Sequence, residues 1–263
     1  MLDEPRSGRL TAWGNALLAG LAAPDDVAQR ITADDAVHRL SGLPGEPAPV
    51  GLTLGLGRLR ALGATGLRLA LPVAGHPLGL SGPPEFNARA LAAGEAVVTV
   101  GGVFLGLVPQ VHQAGPAGDL HVEVEWQCLP VRDAPPADVP SLGEAERELA
   151  EALRDATEEL ARLDVAGAGP AAQAALEAYR ARAARGREVL APGYPPRAVR
   201  VLELAQRVAA LVGIAADGGH GAAVSASQIA ARAELLRPVE RTARRAQVAA
   251  YNAYVEEAER RRP

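Results

Sequence analysis

Lysine is absent from this chain: all 27 basic residues among its 263 are arginine. Walker-type phosphate binding and Schiff-base chemistry both need that amine, so both are excluded. Cysteine occurs once, as Cys128, which rules out an internal disulfide and any multi-cysteine zinc site. Aromatic residues make up only 3% of the chain. Its interior must therefore be built from Leu, Val and Ala, and a helical, tightly packed core is expected over aromatic-lined pockets.

A basic domain is missing too. Residues 1–140 hold 9 arginines against 14 acids, and residues 141–263 hold 18 against 17, so the halves stand at −5 and +1. That balance does not mark a nucleic-acid binder, and no nucleic-acid partner is expected. The longest uncharged run, Ala96 to Gly118, is not a membrane span. Gly101-Gly102, Pro109 and Gly115-Pro116 punctuate it, and its period-2 alternation reads as two strands. Asp3 and Glu4 spoil a basic leader, and Asn15 interrupts LTAWGNALLAGLAA, so secretion is not expected either. These readings predict a cytoplasmic protein with no membrane partner.

What the chain does contain is a sharp change of composition. Pro130, Pro135, Pro136 and Pro140 crowd PVRDAPPADVPS, where fixed φ angles and missing donors leave an extended linker. Of the 28 glycines and 21 prolines, 19 and 15 lie in residues 1–140, while the remainder is dense in Ala and Arg. The predicted organisation is a mixed α/β domain over 1–130, a linker over 131–141 and a helical bundle domain over 142–263.

In the first part, Leu10, Trp13, Leu17 and Leu21 recur at helical spacing. Pro24 with Asp25-Asp26 suits the start of a second helix. Thr32 with Asp35 resembles a cap for a third, which would carry His38 as a partly exposed structural histidine and stop at Gly42. Leu56, Leu59 and Leu62 mark a short helix before a buried strand at 67–71. Gly55 and Gly57 hint at a dinucleotide fingerprint, but Arg60 occupies the third glycine position and the pattern fails. No cofactor is expected.

Residues 72–87, PVAGHPLGLSGPPEFN, leave that strand and enter a helix at Pro83-Pro84 that Gly94 ends. A strand end facing a helix amino terminus is where α/β folds tend to hold anions. His76, Ser81, Glu85 and Asn87 are the ligand candidates. The plainer reading makes this a shaped surface loop, with Ser81 as a cap and Glu85 answering the helix dipole.

Residues 96–130 give the clearest strand pattern, a β-meander with a two-residue hairpin at Gly101-Gly102. Leu120, Val122, Val124, Trp126 and Cys128 alternate with polar residues, which places Cys128 on a buried face as an inert thiol. Matching the apolar faces sets His112 opposite His121, with Glu123 two residues along, as a weak alternative to having no metal site.

After the linker, Ser141 and Glu144 have capping-box form, and Leu142, Ala145, Leu149 and Leu153 begin a helical seam. Further helices are predicted at about 171–186, with Leu176 and Tyr179, and at about 196–216. The latter has two apolar rows, Val201-Leu204-Val208-Leu211 and Leu202-Ala205-Ala209-Val212. Asp217 to Gly221 reads as a flexible break with a solvated His220. Ser225 with Gln228 reads as a cap, and Pro238 as a division or kink. Arg237, Arg241, Arg244 and Arg245 form a basic stripe suited to phosphate or an acidic partner, or else a solvated face with local pairs such as Glu240–Arg244. SASQIAARAELLRPVER weakly suggests a helix-turn-helix, without the usual turn glycine.

The stretches LGRLRALGATGLRLALPVAGHPLGLSGPPEFNARALAAGEAV and GYPPRAVRVLELA resemble uncharacterised proteins of high-GC bacteria. The resemblance spans both halves and implies no activity, cofactor or catalytic residue. The predicted fold class is α+β: a mixed α/β half with a small, largely antiparallel sheet, then an all-α bundle of four or five helices. Two functions fit. One is a non-catalytic binding or scaffold protein whose helices engage a protein partner or a second copy. The other is a small-molecule enzyme or sensor that binds an anionic metabolite at loop 72–87, with His76 as acid or base.

Overall fold

The computed structural model describes residues 4–116, 119–162, 177, 190–217 and 226–261. Two compact units divide the chain. One comprises Glu4–Val139, Leu190–Pro195 and Tyr251–Pro263; the other comprises Met1–Asp3, Pro140–Val189 and Pro196–Ala250.

The first unit is mixed α/β. Its elements are α1 (Arg6–Leu18), α2 (Pro24–Thr32), β1 (Val37–Ser41), β2 (Val50–Gly51), α3 (Leu52–Ala61), β3 (Gly66–Ala70), α4 (Pro84–Ala93), β4 (Ala96–Val100), β5 (Leu105–Ala114) and β6 (His121–Pro130). The strands form one sheet in the order β2-β1-β6-β5-β4-β3. The predicted meander is its centre, since β4, β5 and β6 are consecutive antiparallel neighbours. Beyond that, the sheet is larger than expected and mixed, because β1 lies parallel to β6.

The parallel pair corrects the reading of 32–42 as a helix. Val37 to Ser41 alternate buried with exposed, the period of a strand and not of a helix. The Ala36 amide donates to Val122 O at 2.7 Å and starts the ladder. Asp35, which imitated a cap residue, instead receives the side chains of Arg6 and Arg9 from α1. His38 is buried, not partly exposed.

Sequence periodicity places the other elements well. In α1, Leu10, Trp13 and Leu17 are buried together, with Arg30 stacked 5.0 Å over the Trp13 ring. In α4, Pro lies in the first turn and Gly94 takes the left-handed conformation at the end (φ 74°), the asymmetry those residues favour. The β4–β5 connection is Gly101–Phe104, not two residues. Thr99 Oγ1 donates to Val103 O at 2.6 Å and accepts from the Leu105 amide at 2.9 Å, so a side chain occupies rungs that a tight hairpin would give to backbone. Gly102 has φ 53°, and a Cβ there would meet the backbone of Gly63. On β6, Val124, Trp126 and Cys128 are buried as expected, whereas Leu120 is exposed.

The second unit is helical. Its described helices are α5 (Leu142–Arg162), α6 (Pro196–Asp217) and α7 (Ala226–Arg260), the last belonging to this unit as far as Ala250. The capping box forms: the Ser141 amide donates to Glu144 Oε2 at 2.9 Å, and the Glu144 amide donates to Ser141 Oγ at 3.3 Å. Leu142, Ala145 and Leu149 are buried on α5, and Leu202, Ala205, Ala209 and Val212 on α6. Arg197 and Arg245 pair with Glu146 and Glu148 of α5.

α7 runs through Pro238 without a break, which corrects the predicted division there. One continuous helix over 226–241 also removes the helix-turn-helix reading. Apart from residue 177, the predicted helix at 171–186 with Leu176 and Tyr179 lies outside the described residues, as do the solvated His220 and the Ser225 cap.

The last turns of α7 belong to the α/β unit. There Tyr251 and Asn252 are buried, the Tyr194 hydroxyl donates to Tyr251 O at 2.9 Å, and Arg68 pairs with Glu259 at 2.6 Å.

Candidate functional site

Acid–base chemistry needs a pair of titratable groups within hydrogen-bond reach of each other. The α/β unit builds one such centre around Asp35. Arg6 donates to both of its carboxylate oxygens, at 2.8 and 2.7 Å, Arg9 donates at 3.1 Å, and His38 Nε2 lies 3.0 Å away. Burial opposes the Asp35 charge, but hydrogen bonds from Arg6 and His38 and the charges of Arg6 and Arg9 outweigh it. The carboxyl is held below its ordinary value. Burial acts the other way on His38. It overcomes the hydrogen bond and charge of Asp35, aided by the nearby arginine charges, and lowers the imidazole pKa.

The tautomer follows from the other side of the ring. Trp126 Nε1 lies 3.3 Å from His38 Nδ1, and an indole N–H can only donate. Nδ1 is therefore an acceptor, and the proton sits on Nε2, directed at Asp35. The arrangement resembles a base with its orienting carboxylate. However, the nitrogen that would take a proton from a nucleophile is filled by Trp126, and the His38 side chain is fully buried. The chemistry available to this centre is structural: it joins α1, β1 and β6.

Loop 72–87 is held mainly by its own backbone. Val73 and His76 exchange amide hydrogen bonds at 3.0 and 2.9 Å, and the Leu71 amide donates to Leu78 O. The linker holds it further: the Gly79 amide donates to Ala137 O at 2.8 Å, and Ser81 Oγ donates to Ala134 O at 3.4 Å. Ser81 therefore does not cap α4, whose N-cap is Pro83. Glu85 is exposed and pairs with Arg89 one turn on, at 2.8 Å. His76 is half-buried. Asn87 points its Oδ1 into a buried position without a hydrogen-bond partner among the described residues. No hydrogen bond joins any two of these four side chains.

The other candidates disperse. His112 stands opposite Glu123, and His121 opposite Ala114, a shift of two residues from the predicted His112–His121 alignment. The reason is Leu120: exposed at 54%, it does not belong to the buried face used to set the register. His121 Nε2 lies 3.1 Å from Glu123 Oε1. Among the described residues, no three His, Cys, Asp or Glu side chains gather to hold a metal ion. Along the basic stripe, Arg237 pairs with Glu234, Arg244 with Glu240 and Arg245 with Glu148, while Arg241 is exposed. Burial pushes the Cys128 thiol up to about 12, the inert state predicted for it.

The most specific polar recognition in the unit went unread in the sequence. Asn15 on α1 clamps Leu67: its Oδ1 accepts from the Leu67 amide at 2.7 Å, and its Nδ2 donates to Leu67 O at 3.0 Å. Asn252 on α7 repeats this on Leu69, at 2.7 and 3.1 Å. The two amides answer the open edge of β3 as a neighbouring strand would. The only sequence signal was Asn15 itself, a polar residue inside an apolar helical stripe.

The geometry defines a two-part protein: a mixed-sheet α/β unit and a helical unit. More particularly, the chain belongs to the Rv1486c-like family. The model of that family's N-terminal domain matches residues 7–142, and the model of its C-terminal domain matches residues 143–248. The chain is 33% identical over 240 residues to the uncharacterized protein Rv1486c of Mycobacterium tuberculosis, covering 79% of this chain and 81% of that one. It is 30% identical over 294 residues to the uncharacterized protein ML1804 of Mycobacterium leprae, covering 95% and 97%. No solved structure shows a significant match. Among the described residues, no helix is long and apolar enough to cross a membrane.

Proposed function

We propose that this is a non-catalytic binding or scaffold protein of the bacterial cytosol, whose helical unit engages a protein partner. The observation that carries this reading is the uneven cover on α6. The row Leu202, Ala205, Ala209 and Val212 is buried, and in the adjacent row Val201 and Val208 are buried and Leu204 half-buried, but Leu211 at its end is 42% exposed. An exposed leucine continuing a buried face is where a partner helix gains apolar contact. The Asp35–His38 centre supports the non-catalytic part, since both ring nitrogens already have partners.

The test is a Leu211→Glu chain used beside the wild type to capture proteins from a mycobacterial lysate, with urea unfolding of both as a control. The expected result is a protein retained by the wild type and lost by the variant, with stability within about 0.5 kcal/mol because the site is exposed. Retention by both chains removes the helical surface from the reading.

A second reading, ligand sensing at loop 72–87, draws on the buried, unpartnered Asn87 Oδ1. An amide oxygen accepts hydrogen bonds, so its ligand would present an N–H or O–H there. Loss of metabolite-induced thermal stabilisation in Asn87→Ala, across a panel of amines and alcohols, supports it; an unchanged response of the two chains opposes it.

A further inference from the structure

The β5 strand outruns its neighbour. β4 pairs with it only at Gly106 and Leu107, yet β5 continues to Ala114. From Gln110 to Ala114 every residue is exposed. Among the described residues, no strand lies along that outer edge.

Which backbone groups face outward follows from the register. The Val131 amide donates to Phe104 O, so even-numbered residues of β5 exchange hydrogen bonds with β6. Odd-numbered residues then turn N–H and C=O away from it. The Leu105 amide agrees, since it reaches Thr99 Oγ1 on the β4 side. So does Val122, the partner of Gln113, whose carbonyl faces β1. The outward positions beyond β4 are therefore Pro109, buried as a residue, and the exposed Val111 and Gln113.

We infer that this edge pairs with the same edge of a second copy, antiparallel and two-fold about Val111. In that register Val111 faces Val111 and exchanges two hydrogen bonds. Each Gln113 amide donates to the opposing Pro109 carbonyl, which adds two more. Every outward N–H of the window finds an acceptor, and Pro109, which has none to offer, stands where its missing donor costs nothing in either chain. The strand ends suit the same axis: counting from Val111, Gly115 falls level with Leu107 of the other copy, where β4 takes over. Gly115 has φ 104° and turns the chain away there.

Side chains favour the same occupant. Val111 is 39% exposed although it lies in phase with buried Val124 across the ladder, and its own copy covers it. Residues 105–114 carry no charge of Asp, Glu or Arg, so two copies meet without like-charge repulsion. Gln110 comes opposite His112, an amide beside an imidazole. A shift of the axis to His112 would set two imidazoles side by side and leave Val111 against Gln113. The contrast with β3 adds weight: there Asn15 and Asn252 close the edge, and here no described residue does. An uncharged open edge is a pairing template.

This inference concerns a different surface from α6 and does not rest on it. The test is sedimentation equilibrium of the full chain at micromolar concentration, for wild type, Val111→Glu, Val111→Pro and Leu211→Glu. The expected results are a wild-type dimer, at least about tenfold weaker association in both Val111 variants, and no change in Leu211→Glu. Val111→Glu keeps the fold testable if the proline variant fails to fold. With a disulfide such as oxidised glutathione as the two-electron oxidant, Val111→Cys should form a disulfide-linked dimer, since facing hydrogen-bonded residues lie ~5.5 Å apart at Cα. Cys128 is buried and does not compete. A monomeric wild type, a dimer that survives Val111→Glu, or a Val111→Cys chain that cross-links no faster than Leu54→Cys overturns the proposal. Dissociation by Leu211→Glu alone assigns self-association to the helical unit instead.

Discussion

The Asn252 clamp makes a quantitative demand. Leu69 is buried at 1% exposure, and its outward amide and carbonyl have the Asn252 side chain as their partner, at 2.7 and 3.1 Å. Asn252→Ala strands one buried donor and one buried acceptor. At about 1–3 kcal/mol for each orphaned group, the loss should be about 2–5 kcal/mol. Asn252→Leu separates hydrogen bonding from volume: it refills the space and still satisfies neither group, so its cost should match that of alanine to within about 1 kcal/mol. Both tryptophans of the chain, Trp13 and Trp126, belong to the α/β unit, so fluorescence-detected urea unfolding reads that unit directly. A midpoint shift at constant slope gives the free energy. Recovery of wild-type stability in Asn252→Leu would show that packing and not amide recognition closes the β3 edge. A loss below about 0.5 kcal/mol in Asn252→Ala would show that water reaches Leu69 and would refute the edge argument.

Two further outcomes follow from other parts of the unit. Stability should fall on acidification, first through His38. Its folded pKa is depressed below the ordinary imidazole value, mainly by burial, so the unfolded chain binds the extra proton as pH drops through that value, and stability is lost down to the folded pKa. The depressed Asp35 adds a second loss at lower pH, as its folded pKa is approached. Glu95, raised mainly by burial against the pull of the Ser7 amide, works in the opposite direction. Urea unfolding at pH 7 and pH 5.5 should therefore show a smaller loss in His38→Gln than in the wild type; equal slopes would mean that the imidazole does not titrate with folding. Gly106→Ala should cost about 1–3 kcal/mol by overpacking, because its Cβ would enter the Phe86 ring. A neutral result in thermal unfolding would mean that Phe86 can shift.

Periodicity carried the sequence reading where each element keeps one face buried. Leu10–Trp13–Leu17, the proline start and glycine stop of α4, the Ser141–Glu144 box and the Val124–Trp126–Cys128 alternation all lay within one turn or a few rungs of one another. What was hidden depends on distance in sequence. β1 is five residues long, too short for its alternation to outweigh the cap-like Thr32 and Asp35, and the arginines that engage Asp35 come from α1. His38 looked like a surface residue because its second partner, Trp126, is 88 positions away. The misplacement of His112 and His121 came from one exposed leucine taken for a buried one. Asn252 and Leu69 are separated by 183 residues, and nothing near either announces the other.

Taken together, the open edges of the sheet expose a physical constraint that organises the unit. Outward N–H and C=O groups of a strand must find partners or water, and each edge here meets that demand differently. β2 is only two residues long, which leaves few groups to answer. β3 is buried and long enough to need full pairing, so α1 and α7 each supply an asparagine whose amide offers both a donor and an acceptor, as the backbone of a neighbouring strand would. Among the described residues, β5 beyond Leu107 has neither remedy. From Gln110 to Ala114 it is exposed and uncharged, after a buried Pro109 whose missing donor falls on the outward side. A lone proline removes one amide from that row and leaves those of Val111 and Gln113. Had solvation of the edge been the sole requirement, a charged side chain at either position would have protected it from pairing. The valine and glutamine present there instead suit the proposed pairing with an identical strand running the other way.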